Sequence, residues 1–248
     1  MTLYTSYDPF AWTYNKHWGD TFLPVILPIL DNLVLCKLRR GARILDVCCG
    51  TGQLDARLTA LGYRVTGIDG SSEMLRHAQA NAPKGEFIQA DARTFTLPRK
   101  YPAAISVFDS LNHVMTLHEL AQVFNRVHDA LQPDGLFLFD LNTPAGYMRE
   151  WQGDYSIVEE DHVCVQRISY SMSRRVALFD STVFRFRDGY WYRADVKIYE
   201  KCHGIGQVKG ALRKAGFTGV EVFGFDLQSG ITPLAKDMRR AFFFCRRA

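Results

Sequence analysis

The 248-residue chain lacks several things that would place it quickly. Its six cysteines form no Cys-x-x-Cys, and no Cys/His ligand spacing is present, so no metal is expected. Six cysteines in a chain this long are no disulfide framework either, and free thiols suit a reducing cytosol. No run can span a bilayer: the most apolar early stretch, 22–35, holds Pro24, Pro28 and Asp31. The first 20 residues have no basic start followed by an apolar run, so no signal peptide is expected. Charge of one sign is scarce. Lys plus Arg is 30 against Asp plus Glu 26, and a net +4 is too weak to indicate nucleic acid. Repeats and low-complexity segments are absent. A soluble cytoplasmic protein with a small-molecule substrate and no membrane or nucleic-acid partner is therefore expected; a monomer or homodimer is expected as well. The remainder is ordinary: 47% hydrophobic and 23% charged residues exclude disorder and fibrous architectures. The length is that of one large domain or a domain plus an appendage.

Residues 42–142 alternate between two periodicities. Strands are expected at 42–49, 63–69, 86–91, 103–108 and 136–141. Helical spacing falls at Leu54, Leu58 and Leu61, then over 72–81 with Ser71 or Ser72 as N-cap. The strongest helical stripe is Leu117, Leu120, Ala121, Phe124, Val127 and Leu131. Pro133-Asp134-Gly135 then reads as a turn. Strands alternating with helices imply an α/β fold, a mostly parallel sheet covered on both faces. From about 156 to 202 the period becomes two, with Asp188-Gly189 as a hairpin turn. An antiparallel platform of about three strands, inserted at 151–202, is therefore expected. Helical spacing returns at Val208, Leu212 and Ala215, and closing strands at 220–225 and 241–246 complete a domain of 41–150 plus 203–248.

Chemistry concentrates in Ile44-Leu45-Asp46-Val47-Cys48-Cys49-Gly50-Thr51-Gly52. A strand enters a glycine-rich turn and then a helix, and the glycines let the backbone approach a ligand. In such sheets ligands sit at the carboxyl ends of strands. Asp46, at the strand end, suits an ammonium group better than a pyrophosphate. The dinucleotide fingerprint Gly-x-Gly-x-x-Gly is not matched. Asp69 ends the second strand, 19 residues after Gly50, where a carboxylate can accept from both ribose hydroxyls. Asp91 ends the third, where it can accept from an adenine amino group. Three carboxylates in one crevice match a nucleoside with an ammonium-bearing tail and no phosphate.

This arrangement resembles the class I S-adenosylmethionine-dependent methyltransferases. Leu45 to Gly52 looks like that family's first motif. Asp69-Gly70-Ser71-Ser72-Glu73-Met74-Leu75 is similar to its Asp-x-Ser-x-x-Met-Leu motif, and Gln89-Ala90-Asp91-Ala92 to its third. Leu131 to Leu136 resembles its Leu-x-Pro-Gly-Gly turn, with Asp134 in place of a glycine. The resemblance runs along essentially the whole chain. It implies a doubly wound, Rossmann-like, seven-stranded sheet and S-adenosylmethionine as cofactor, S-adenosylhomocysteine as product. It also implies cofactor contacts from Asp46, Cys48, Gly50, Thr51 and Gly52, from Asp69, Gly70, Ser71 and Met74, and from Asp91, Ala92, Arg93 and Phe108.

The segment Phe108-Asp109-Ser110-Leu111-Asn112-His113 lacks the Asn/Asp-Pro-Pro-Tyr/Phe of enzymes that methylate flipped bases or glutamine. It looks instead like small-molecule N-methyltransferases of the aminosugar and glycine/sarcosine types. Those also carry an aromatic N-terminal helix and an antiparallel insertion. Here residues 1–40 supply Tyr4, Tyr7, Phe10, Trp12, Tyr14 and Trp18 as a candidate lid. Tyr14 and Trp18, four apart, share a helical face, and ring faces attract a sulfonium. Trp12 and Trp18 could instead anchor the helix. The resemblance places His113 near the substrate, where a near-neutral imidazole could orient the nucleophile or take its proton. Asp109 and Asn112 would hold His113 or line the pocket. On the platform Arg167, Tyr170, Arg185, Trp191, Tyr192 and Arg193 are candidates for substrate contact. Alternation lets about half face the cleft, and inward arginines would suit an anionic substrate. Arg239-Arg240 and Arg246-Arg247 read as surface charge.

The expected activity is methyl transfer to nitrogen or oxygen of a small metabolite. Alternatives are a tRNA or protein methyltransferase, a nicotinamide or flavin protein, and a catalytically silent cofactor-binding regulator. A macromolecular substrate would call for a wide basic face, which +4 does not supply.

Overall fold

The computed structural model describes residues 5–248; Tyr4 lies outside them. After a 3-10 turn at Thr5–Phe10, the chain forms α1 (Ala11–His17) and α2 (Leu23–Leu33). It then alternates through β1 (Arg43–Val47), α3 (Gln53–Ala60), β2 (Arg64–Asp69), α4 (Ser72–Asn81), β3 (Glu86–Gln89), β4 (Tyr101–Ser106), α5 (Leu117–Ala130) and β5 (Leu131–Asn142). Next come α6 (Pro144–Glu150) and four long strands, β6 (Gly153–Glu159), β7 (His162–Ser171), β8 (Val176–Arg187) and β9 (Tyr190–Lys201). The chain closes with α7 (Ile205–Lys214), β10 (Phe217–Asp226), β11 (Gly230–Pro233) and β12 (Arg240–Arg247).

The main sheet has the order β11-β10-β12-β5-β4-β1-β2-β3. Pairings from β5 to β3 are parallel, and β12, β10 and β11 add on in antiparallel fashion. Strand order reverses between β1 and β4, which opens a crevice at their carboxyl ends. The sheet has eight strands where seven were expected. The extra one, β11, is four residues long and pairs only with β10, so it left no alternation to read.

Alternate side chains divide the core between the two faces of the sheet. Leu45, Val47, Phe137, Phe139 and Phe243 pack toward α5 and α7. Ile44, Leu138, Phe242 and Phe244 pack toward α2 and α3. By the same parity Asp46 falls on the α3 side. Helix α5 is held by Leu120, Val123, Phe124 and Val127, all fully buried and each contributing about 1.5–3 kcal/mol. Thr116 caps it by accepting from Glu119 N. Ser71, rather than Ser72, caps α4 by accepting from Met74 N at 3.1 Å. The Pro133-Asp134-Gly135 turn is a bulge inside β5, with Asp134 left-handed at φ +60°.

The second sheet, order β6-β7-β8-β9, is antiparallel throughout. Its first strand, β6, went unread because nearly all its residues are exposed, which removes the alternation between apolar and polar positions.

Candidate active site

A cavity of about 490 Å³ lies at the carboxyl ends of β1, β2 and β4. Its floor is the turn after β1. Cys48, Gly50 and Gly52 all take left-handed φ there, +64°, +56° and +78°. Gly50 N donates to Asp69 Oδ2 at 3.0 Å and Ser71 N to Asp69 Oδ1 at 2.9 Å, tying the turn to the end of β2. Burial pushes the Asp69 carboxyl up, partly offset by these backbone donors. Burial likewise raises the thiols of Cys48 and Cys49, which favours the protonated form.

Of the residues expected at the cofactor, Tyr14, Trp18, Asp46, Cys48, Gly50, Thr51, Asp69, Gly70, Met74, Asp91, Ala92, Arg93 and Phe108 line this cavity. Two do not. A Cβ on Gly52 would lie 2.8 Å from Ala78 Cα, so this glycine serves the approach of α3 to α4 rather than of backbone to ligand. Ser71 is fully buried under its capping bond and donates to Asp8 Oδ1 at 2.5 Å. Asp91 also differs from expectation. Its oxygens accept from Arg93 N (2.8 Å), Nε (2.9 and 3.2 Å) and Nη2 (2.5 Å), which occupies the acceptor positions expected to meet an adenine. Burial would raise this carboxyl, but the Arg93 bonds outweigh it and hold it below the ordinary value.

The N-terminal segment covers the opening. Tyr7, Phe10, Tyr14 and Trp18 line it from above. Asp8 fastens the segment to the start of α4, and Asn15 Oδ1 accepts from Asn81 Nδ2 (2.7 Å) and Gln53 Nε2 (2.9 Å). Trp12 does not reach the cavity. It packs edge-on to His162, with the Arg185 guanidinium 3.7 Å above its ring. His17 Nε2 and His162 Nε2, 2.7 Å apart, complete this anchor to the platform.

His113 lines the inner wall. Its Nδ1 is 3.1 Å from the Tyr199 carbonyl, which can only accept, so Nδ1 carries the proton. Nε2 then accepts from Tyr7 Oη at 2.7 Å. Burial lowers the imidazole pKa against the pull of Asp109, so the ring is neutral near pH 7. Glu200 Oε1 lies 3.7 Å from Nε2. Its other oxygen accepts from Tyr147 Oη (2.7 Å) and Asn142 Nδ2 (3.2 Å). Asp109 lines the cavity, but Asn112 is fully buried, donating to Lys201 O (2.8 Å) and accepting from Asn142 N (2.9 Å). Asn112 therefore ties β5 to β9 instead of lining the pocket.

Phe108 and Asp109, just past β4, both adopt left-handed φ, +61° and +53°. For two consecutive non-glycine residues this costs of order 1–3 kcal/mol each. Asp140 holds the turn by accepting from Phe108 N (2.7 Å) and Asp109 N (3.0 Å). Arg240 neutralises Asp140 in direct contact, reaches Asp109 at 3.3 Å, and stacks 4.5 Å over Phe22. Arg240 is thus a half-buried, ion-paired cavity residue and not free surface charge. Arg239 is exposed and pairs with Glu150. Arg246 is exposed, while Arg247 donates to the Leu131 carbonyl.

The platform meets the cavity through one rung, Ile168–Phe179–Ile198, with Tyr155 and Glu200 beside it. None of the six platform candidates lines it. Arg167 is on the outer face, paired with Asp180 at 3.1 Å. Tyr170 faces inward but stacks on Tyr147, ring centroids 4.9 Å apart. Arg185 and Tyr192 pair across the far end of the sheet, Arg185 over Trp12 and Tyr192 under Arg187. Trp191 is exposed, and Arg193 bonds Asp195.

Sequence reasoning missed Glu200, Asp140, Arg240 and the contact of Tyr7 with His113. One signal was readable: Asp140 interrupts the apolar run Leu136 to Leu141, and a charge in a buried strand requires a partner. Among the described residues no cluster of His, Cys, Asp and Glu could hold a metal, and no helix is long and apolar enough to cross a membrane.

The glycine turn, the carboxylate at each strand end and the reversal of strand order define an S-adenosylmethionine site on a doubly wound sheet. Comparison with known proteins agrees. Residues 44–135 match a methyltransferase domain family. A putative methyltransferase of Geobacillus sp. (strain WCH70) is 31% identical over 225 residues, 88% of this chain and 91% of that one. The chain belongs to the S-adenosylmethionine-dependent methyltransferases. A shorter match, 30% over 144 residues (58% of this chain, 60% of the relative), is to the dTDP-3-amino-3,4,6-trideoxy-alpha-D-glucopyranose N,N-dimethyltransferase of Streptomyces venezuelae. The solved structure of an S-adenosylmethionine-dependent methyltransferase from Clostridium acetobutylicum shares the fold, with TM-score 0.78, 18% identity and coverage of 98% and 99% of the two chains.

Proposed function

We propose that this methyltransferase acts on the nitrogen of a small, non-phosphorylated amine. The cofactor, when bound, supplies a methyl group made electrophilic by its sulfonium. The chain's own residues align the acceptor, exclude water and manage the acceptor's proton. The observation that carries the reading is the neutral His113 beside the buried Glu200 on the cavity wall. Burial and the nearby Asp109 push the Glu200 carboxyl up, so its Oε1 serves to position the incoming protonated amine beside His113 rather than as a standing charge. His113 Nε2, once Tyr7 Oη is displaced from it, takes the proton and leaves the nitrogen lone pair free to attack.

Three features support the restriction in substrate. The segment over the cavity leaves it the size of a metabolite. The platform rung is apolar. The arginines on the wall, Arg93 and Arg240, are both engaged with carboxylates, so neither is available to a phosphate. On the same reading Asp46 meets the cofactor's ammonium, Asp69 its ribose, and Tyr14, Trp18 and Phe108 its apolar surroundings. The six unpaired cysteines suit action in a reducing cytosol.

The test is incubation with S-adenosylmethionine labelled in the methyl group and a cell extract separated by size. Label in the small-molecule fraction, on an amine identified by mass spectrometry, is the expected result. Label in RNA or protein overturns the substrate class and leaves the family intact. Cofactor binding with no labelled product in any fraction favours a silent binder.

A further inference from the structure

Asp55 is the anomaly of this site. It sits in the first turn of α3 with 0% exposure, in contact with Asp46, which is 2% exposed and lines the cavity. Neither oxygen of Asp55 accepts a hydrogen bond from any N–H or O–H of another residue. No basic side chain forms an ion pair with either carboxyl among the described residues. The two carboxyls are within hydrogen-bonding reach of each other. Two buried carboxylates cannot both be ionised at contact without a cation, and an isolated buried carboxylate without donors is strongly disfavoured. A single proton between them satisfies both oxygens at the contact and halves the buried charge.

We propose that Asp55 is a positioning residue for the cofactor: in the free protein it shares one proton with Asp46, and the pair releases that proton to solvent when the cofactor's ammonium is seated against Asp46. The inference rests on the assignment of Asp46 to the ammonium. The balance is simple. The free pair carries one negative charge and one proton. The bound pair carries two negative charges, one matched by the ammonium and one stabilised beside it, and the proton leaves to water. Burial raises both carboxyls above their ordinary value, which is the direction the sharing requires. The other titratable groups that face the pair are Asp69 on β2, the thiols of Cys48 and Cys49 in the turn, and the Tyr14 phenol on α1. All four are acidic, so each adds to the cost of a second charge and none replaces the proton. The sign follows: the bound state holds fewer protons, so affinity rises with pH until the free pair has lost its proton, and is flat beyond.

The experiment is calorimetric titration of the intact protein with S-adenosylhomocysteine from about pH 5 to about pH 9, in phosphate and in Tris buffers, whose ionisation heats differ. The expected result is release of close to one proton on the acid side, with affinity gaining about tenfold per pH unit there. The Asp55→Asn variant, whose amide can donate to an ionised Asp46, should bind with heats independent of buffer. It should exceed wild-type affinity by at least about tenfold at the acid end and match it at the alkaline end. Equal heats in the two buffers for the wild type would overturn the proposal without need of a variant. Undiminished proton release by a folded Asp55→Asn protein would also overturn it, since the proton would then come from another group. No binding at any pH would remove the cofactor assignment, and this inference with it.

Discussion

The two sheets hold their charged residues in opposite ways. In the crevice of the main sheet, Asp46, Asp69, Asp109, Asp140 and Arg240 are buried or nearly so, and most are locked by specific backbone or ionic contacts. On the platform, Arg167, Arg193 and Lys197 stand in solvent beside Asp180 and Asp195, while the face toward the cavity offers an apolar rung and the single buried carboxyl of Glu200. A parallel strand buried on both faces tolerates a charge only at its end or with a built partner. An antiparallel sheet with one wet face accepts charges anywhere on that face. Charge on the first sheet therefore carries information about the site, and on the second only a buried charge such as Glu200 does.

Mutations can break this contrast, beginning where the effect is largest. Arg240→Ala leaves Asp140 buried and unpaired beneath the strained Phe108–Asp109 turn. A loss of about 3–5 kcal/mol is expected in urea unfolding. A loss below about 1 kcal/mol would make Arg240 no more than the surface charge its sequence suggests. Asp69→Ala removes two carboxylate acceptors from the site and strands Gly50 N and Ser71 N. Affinity for S-adenosylhomocysteine should fall by at least about 100-fold in calorimetry; undiminished affinity would sink the assignment of Asp69. His113→Ala should lower turnover at least about tenfold with cofactor affinity unchanged, a split that separates proton handling from folding. Arg167→Ala and Arg193→Ala on the outer platform face should each alter stability by less than about 1 kcal/mol and leave turnover alone. A large kinetic effect from either would move the substrate surface to the outer face.

The main sheet was legible for the same reason that its charges are informative. Strands such as β1 and β2 are short and largely buried, and Asp46 and Asp69 stand out at their ends. The platform showed its periodicity and its Asp188-Gly189 turn, so its existence could be read from pattern. Its working surface could not. Parity puts Tyr170, Arg185 and Tyr192 on the inward face, yet distance along the strand leaves them beyond the cavity, which the platform reaches through Tyr155, Ile168, Phe179, Ile198 and Glu200. The remaining omissions are contacts across long separations in the chain. Tyr7 meets His113 over 106 residues and Arg240 meets Asp140 over 100, and no local window contains both members of either pair.

Gly52 closes on a different kind of consequence. Its φ of +78° disfavours any side chain, and Ala78 stands 2.8 Å from where the first side-chain carbon would go. Two unrelated obstacles thus bar one codon. A library randomised at position 52 should return glycine alone, and shrinking the neighbour at 78 to glycine lifts neither barrier, because the closest atom there is the backbone Cα. Gly50, with φ +56° and nothing nearer than the Tyr14 ring at 3.8 Å, carries only the conformational one. Asparagine, which tolerates left-handed backbone, is the substitution that should survive selection at 50 and not at 52.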